Sequence, residues 1–203
     1  MTLLADALLV AASFLGGAIP FGIVISRAFY RRDLRGEGSG NIGAANALRS
    51  LGRRGAIAVL LLDALKGAVP VIAGRALGGD TLAVVAALAA VLGHCFSPFL
   101  NFRGGKGVAT NFGAIIALAW PAGLAFALVW LAAVLVTGYA SVGSMLASTA
   151  MMLVLGPFLG PGGIAYGALS AVLIVVMHRA NLARLRAGTE SVLPLFRTRK
   201  SGA

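Results

Sequence analysis

Hydrophobic residues run along this chain in long blocks separated by short polar segments, and the blocks have the length of membrane-crossing helices. The first covers residues 3–26, with Pro20 and Gly22 marking a kink that neighbouring helices tolerate. Further blocks follow at 56–73 and 82–100. Residues 108–137 are apolar for 30 positions, which as one helix would be about 45 Å long, too much for a hydrocarbon core of about 30 Å. Trp120-Pro121 sits where such a helix breaks, so two short helices or a re-entrant hairpin are predicted there. Blocks at 140–155 and 164–177, separated by GPFLGPGG, complete the pattern. Between the blocks lie a glycine-rich segment at 27–54, a short loop at 101–107 and a basic tail at 178–203. A short helix is predicted over 44–49. The expectation is one polytopic all-α domain over 1–203.

Composition agrees. Hydrophobic residues make up 59% and charged residues 11%, against about 45–50% and about 25% in soluble proteins. Mean hydropathy is +0.94. The net charge of +11 would point to nucleic acid in a soluble protein. Here the basic residues lie between apolar blocks, and an aromatic content of 7% offers no base-stacking surface, so nucleic acid is not an expected partner. With the N-terminus outside, every Lys and Arg except Lys66 and Arg75 falls on the inner side, which sets the orientation under the positive-inside rule. The N-terminus has no basic leader region and reads as a first span. Cys95 is the single cysteine, read as packing. His94 is read as a satisfied interfacial histidine, since no acid or cysteine cluster accompanies it as a metal would need. Asp63 and Lys66, at i and i+3, are read as a structural pair.

This topology brings three polar segments to the cytoplasmic face. The first holds Gly38-Ser39-Gly40-Asn41-Ile42-Gly43, followed by Asn46 and Arg49. Glycines ahead of a helix start offer backbone N–H groups to an anion, and Arg49 can bind an oxyanion with two parallel hydrogen bonds. The second is Phe102-Arg103-Gly104-Gly105-Lys106-Gly107-Val108-Ala109-Thr110. Its Gly104-x-x-Gly107 echoes Gly40-x-x-Gly43, as two phosphate-bearing ligands side by side would require. The spacing around Lys106 is not that of a Walker A loop, which argues against ATP. The third is HRANLARLRAGTE, in which a continued last helix would place His178, Asn181 and Leu185 on one face. His178 is a candidate base or phosphate ligand, and Glu190 follows a helix end at Gly188.

Together these segments resemble the bacterial acyl-phosphate:glycerol-3-phosphate acyltransferase family, integral membrane enzymes that start phospholipid synthesis. GSGNIGAANALR, GHCFSPFLNFRGGKGVAT and HRANLARLRAGTE are similar to its three motifs, in order, and AIPFG and LLDALKG are also family-like. Ala45 stands where threonine is usual, and Ser97 where proline is usual. The resemblance implies seven membrane helices, an active site at the cytoplasmic face and a bacterial inner-membrane location. It implies transfer from an acyl-phosphate to the sn-1 hydroxyl of glycerol 3-phosphate, without coenzyme A, metal or other cofactor. Candidate partners are the soluble enzyme that makes the acyl-phosphate and the next acyltransferase of the pathway.

The site residues expected on this basis are Ser39, Arg49, Lys106, His178, Asn181 and Glu190 as catalytic. Gly38, Gly40, Asn41, Gly43, Asn46, Gly104, Gly105, Gly107, Thr110 and Arg179 are expected to bind substrate. The residues themselves leave open whether His178, Glu190 or a substrate phosphate is the base, and which loop holds which phosphate. The H-x4-D pattern of peripheral glycerolipid acyltransferases is absent at both histidines. A transporter or channel for a phosphorylated anion is the competing class. Such a protein needs polar groups near the midplane, where this chain has little beyond Asp63 and Lys66. The topology predicts that a cysteine label at position 200 is reached only from the inner side of the membrane. Labelling from outside in intact cells would reverse the orientation.

Overall fold

The computed structural model describes residues 2–194; the basic positions Arg197, Arg199 and Lys200 lie outside the described residues. The protein is an all-helical, multi-pass membrane protein. Four helical stretches, Leu3–Tyr30, Gly52–Leu100, Trp120–Thr137 and Gly156–Met177, are long and apolar enough to cross a membrane.

Each expected break occurs, several with sharper geometry than composition implied. Helices α1 (Leu3–Ala18) and α2 (Phe21–Tyr30) are separated by a full interruption at Ile19-Pro20, where the sequence suggested a kink. Helix α3 (Ala44–Ser50) covers the short helix expected over 44–49. The blocks expected at 56–73 and 82–100 form two limbs of α4 (Gly52–Cys95). The limbs meet at Gly78-Gly79, where Gly79 has φ 72° and ψ −163°, a conformation open to glycine alone. The second limb stops at Cys95, short of residue 100, because the carbonyls of His94 and Cys95 accept the N–H groups of Gly105 and Gly104, both at 3.0 Å.

Residues 108–137 form two helices, α5 (Val108–Leu118) and α6 (Trp120–Thr137), broken at Ala119 with Pro121 in the first turn of α6. Proline is harmless there because first-turn N–H groups have no intrahelical acceptor. Helix α7 (Ala140–Val154) is followed directly by α8 (Gly156–Met177). GPFLGPGG, expected as a linker, is therefore helical except at Gly160 (φ 58°, ψ −145°), with Pro157 and Pro161 each in the first turn after a break. The last span does not continue into the tail. His178 interrupts it at φ −94°, ψ 10°, and α9 (Arg179–Arg186) starts afresh.

Packing between limbs relies on small residues, as expected where lipid supplies no hydrophobic drive between helices. A Cβ on Gly17 would strike the backbone of Ala90, and one on Gly93 the carbonyl of Phe14, so α1 and the second limb of α4 touch backbone to backbone. Gly67 and Gly113 do the same where the first limb crosses α5.

Freed carbonyls are satisfied by side chains from other elements, which a lipid environment demands. Lys66 pairs with Asp63 at 2.8 Å, and its Nζ donates to the Ile19 carbonyl at 2.7 Å. Ser97, one of the departures from the family pattern, donates to the Ala18 carbonyl at 2.7 Å. Arg75 donates to the carbonyls of Ala117 and Leu118, both at 2.7 Å, which fastens the Gly78-Gly79 turn to the end of α5. The opposite end of α5, at Val108 and Ala109, borders the cavity described below.

Gly17→Ala is expected to destabilise the protein by about 1–3 kcal/mol through overpacking. Gly16→Ala meets no atom within 4 Å and is expected to be neutral or better. Thermal unfolding in one detergent compares the two, and equal midpoints would show that the α1–α4 contact is not tight.

Candidate active site

A cavity of about 270 Å³ gathers residues from all three polar segments. Its first wall is the loop before α3. Asn46 is buried at the start of α3 and holds that loop in shape. Its amide donates to the carbonyls of Leu34 (3.1 Å) and Glu37 (2.9 Å), and its Oδ1 accepts the Ser39 N–H at 2.9 Å. Asn41 Oδ1 accepts the Gly43 N–H at 2.9 Å and turns the chain into the helix. Ser39, Asn41 and Gly43 border the cavity. Asn46 borders it too, but its polar atoms are used within the loop, so its expected role as a substrate ligand becomes one of loop support. Gly38 packs against Asn46 Oδ1, and neither Gly38 nor Gly40 reaches the cavity wall. Arg49 donates from one Nη to the Ser191 carbonyl at 3.2 Å, while its buried Nε has no partner among the described residues.

The second wall is the Lys106 loop, which runs back over the end of α4. Gly104 and Gly105 are spent on that cap: a Cβ on Gly104 would strike the His94 carbonyl, and one on Gly105 the His94 ring. Thr110 is buried with its Oγ1 3.2 Å from His94 Nδ1. None of these three lines the cavity, so they shape the loop where substrate contact was expected. Lys106 and Gly107 do line it, whereas Arg103 is exposed and points elsewhere. Gly43 and Gly107 occupy equivalent positions, their carbonyls accepting the first hydrogen bonds of their helices, from Asn46 and Ala47 in α3 and from Asn111 in α5, and the starts of both helices border one cavity. Cys95 is buried packing, and His94 is buried with its Nδ1 on Thr110 and borders the cavity.

The third wall closes the arrangement. Lys106 Nζ donates to Asn181 Oδ1 at 2.5 Å, and Asn181 Nδ2 donates to Glu190 Oε1 at 2.6 Å. Ser141 Oγ donates to the same oxygen at 2.8 Å, and Arg184 Nε donates to Glu190 Oε2 at 2.7 Å. Arg179 is exposed and outside the cavity, against expectation.

The electrostatics follow from this chain of bonds. Burial raises the Glu190 carboxyl, but hydrogen bonds from Asn181, Ser141 and Arg184 together outweigh it and hold it below the usual range, hence ionised. Burial, opposed by the Glu190 charge but aided by Arg184 and Arg49, brings Lys106 down to about 8. Burial and the Lys106 charge bring His178 down to about 4. His178 Nδ1 lies 2.8 Å from the Ile174 carbonyl, which can only accept, so that nitrogen carries the proton and Nε2 remains an acceptor.

Sequence reasoning missed three parts of the site. Ser141 and Ser144 sit in an apolar block with no motif around them, and Arg184 lies in the third motif without being among the expected site residues until the fold brings it to Glu190. The apolar wall was also missed. It consists of Leu60, Val108, Phe112, Phe126 and Trp130, with the two phenylalanine rings 5.5 Å apart. Leu60 is 41% exposed on the outer surface of the bundle, so this wall is continuous with the lipid-facing side. Among the described residues no group of three or more His, Cys, Asp or Glu converges as a metal site would need.

The family model for glycerol-3-phosphate acyltransferase matches residues 7–188. A glycerol-3-phosphate acyltransferase of Cereibacter sphaeroides (strain ATCC 17025 / ATH 2.4.3) is 49% identical over 178 residues, 87% of this chain and 84% of the relative. One from Bradyrhizobium sp. (strain BTAi1 / ATCC BAA-1182) is 48% identical over 87% of this chain and 89% of its own. Among solved structures, the glycerol 3-phosphate form of PlsY (YgiH), an integral membrane glycerol 3-phosphate acyltransferase, superposes with a TM-score of 0.90 at 34% identity. It covers 97% of this chain and 99% of that one. Its lysophosphatidic acid form gives 0.86 over 93% and 95%. The chain therefore belongs to the glycerol-3-phosphate acyltransferase family.

Proposed function

We propose that this protein transfers the acyl group of an acyl-phosphate to the sn-1 hydroxyl of glycerol 3-phosphate, giving 1-acyl-glycerol 3-phosphate and inorganic phosphate. The observation that carries the reading is one cavity lined by Arg49, whose Nε has no partner among the described residues, by a half-buried Lys106 and by an apolar wall leading to the lipid side. Two phosphates and an acyl chain need those three surfaces together. The solved relative in glycerol 3-phosphate and lysophosphatidic acid forms supports the acceptor and the product. The motif resemblance supports the donor. The protein is read as seven crossings of a bacterial inner membrane, N-terminus outside and the cavity on the cytoplasmic side.

The glycerol 3-phosphate headgroup is placed at the polar end, with Ser39, Asn41, Arg49 and the start of α3. The acyl donor is placed along α5, because Lys106 and Gly107 at its start pass directly into the apolar residues Val108 and Phe112. The glycerol oxygen attacks the donor carbonyl, and Lys106 with the first N–H groups of α5 stabilises the oxyanion that forms. The tetrahedral intermediate then breaks its bond to the phosphate oxygen. His178 Nε2 accepts a hydrogen bond from the attacking hydroxyl and aligns it. Its proton affinity, near 4, is below that of a phosphate monoester, whose second pKa is about 6. The proton therefore ends on phosphate. Glu190 holds Asn181, which aims Lys106.

Purified protein in lipid, supplied with glycerol 3-phosphate, is expected to form lysophosphatidic acid from acyl-phosphate and not from acyl-CoA. Product from acyl-CoA alone would overturn the donor, and vectorial uptake of phosphate esters without product would favour a transporter. Lys106→Ala is expected to lower kcat by roughly 100-fold or more, the scale of losing an oxyanion donor, with membrane insertion intact.

The pH dependence has a definite sign. Lys106 is charged below about 8 and loses its charge above it. The specificity constant for the anionic substrates should fall as pH rises through that value. Lys106→Arg, whatever its rate, should lack that alkaline limb. An unchanged limb in the arginine variant would assign it to another group.

A further inference from the structure

The segment after α9 reaches back across the cavity. Gly188, at φ 69°, ends the helix, with the Thr189 N–H on the Arg184 carbonyl at 2.8 Å. The chain then places Glu190 and Ser191 on the cavity wall. It is fastened again three residues after Glu190. The Leu193 N–H donates to the Gly138 carbonyl at 3.0 Å, and the Leu193 side chain is 4% exposed.

Gly138 is the corner between α6 and α7, and Ser141, three residues on, is one of the donors to the Glu190 carboxylate. One corner of the bundle therefore holds both the far end of the segment and the carboxylate carried in its middle. Between the two fastenings, Ser191 presents its carbonyl to Arg49. The match to the family model ends at residue 188, so both Glu190 and this second fastening lie beyond it.

We infer that Leu193 is a positioning residue for the acyl transfer. Its backbone bond to Gly138 and its buried side chain pin residues 189–193 as a strap, which fixes Glu190 and through it the Asn181–Lys106 pair. The inference rests on the reaction proposed above. Four hydrogen bonds converge along the path from Glu190 to Lys106, and three end on one carboxylate: those from Asn181, Ser141 and Arg184. A carboxylate carried on a segment of irregular backbone stays in register only if both ends of that segment are held. Arg184 and the α9 cap hold the near end, and Leu193 holds the far one.

A double-mutant cycle tests this, with wild type, Leu193→Ala, Glu190→Gln and the double variant in identical lipid discs. Leu193→Ala is expected to lower kcat by roughly 10-fold to 100-fold, the scale of a small misplacement of catalytic groups, and to weaken acyl-phosphate binding several-fold. Leu193→Met should restore most of the loss. In the Glu190→Gln background, Leu193→Ala should change neither quantity further, because residues that act through one another are not additive. The dissociation constant for acyl-phosphate, measured without glycerol 3-phosphate, closes the cycle even if Glu190→Gln turns over too slowly to measure.

Wild-type behaviour of Leu193→Ala, or the same factor of loss in both backgrounds, would overturn the inference. If Leu193→Ala unfolds in the thermal scan, Leu193→Val supplies the same comparison with a smaller deletion. A wild-type protein with no turnover from acyl-phosphate would sink the proposed reaction. An active wild type with an indifferent position 193 would sink the strap alone.

Discussion

The charge on Lys106 must be carried in a cavity walled by apolar helices, and much of the polar architecture follows from that requirement. An ammonium out of bulk water is tolerated when its proton donors are met and an opposite charge is near. Here Asn181 meets it directly, and Glu190 supplies the charge one bond further away. Holding the carboxylate at one remove has a chemical consequence. The ammonium is not neutralised by a contacting anion, so it can still stabilise negative charge on a substrate. Direct contact with Glu190 would have given a stronger pair and an ammonium less available to a second anion.

The same economy governs the backbone. Helix breaks free carbonyls that lipid cannot satisfy, and several of these are met by a side chain or loop from elsewhere. Lys66 reaches Ile19, Ser97 reaches Ala18, Arg75 reaches Ala117 and Leu118, and the Lys106 loop covers the end of α4. The last case joins structure to chemistry. The glycines that cap α4 leave Lys106 as the next residue, so capping the helix and presenting the cation are a single piece of backbone. Ser97, where the motif resemblance leads one to expect proline, adds a hydrogen bond to the end of α1.

Several residues had their character legible in sequence, while the fold shows their polar atoms or space used within the loops. Asn46, Gly104, Gly105 and Thr110 lie within motifs, and motif membership made each look like a ligand. The fold gives them to loop support and packing. A motif records which residues the site needs, without separating those that touch substrate from those that hold the touching residues in place. Arg179 and Arg184 illustrate the reverse difficulty. They are two arginines of the same segment, and only the turn at His178 decides that one faces Glu190 and the other faces out.

The sequence alone determined the class of environment, the approximate number and position of helices, and the three segments that meet at the site. Those properties depend on local composition, on the position of prolines and glycines, and on the summed apolar content of each block, all of which are readable without knowing what packs against what. The tertiary structure alone decided that the corner at Gly138 holds the strap, that Ser141 reaches Glu190, and that Phe112 and Phe126 build the apolar wall. These contacts join residues far apart in the chain, and their physical origin is close packing through Gly17, Gly67, Gly93 and Gly113. The packing sets which helix faces meet, and no periodicity within one helix encodes that choice.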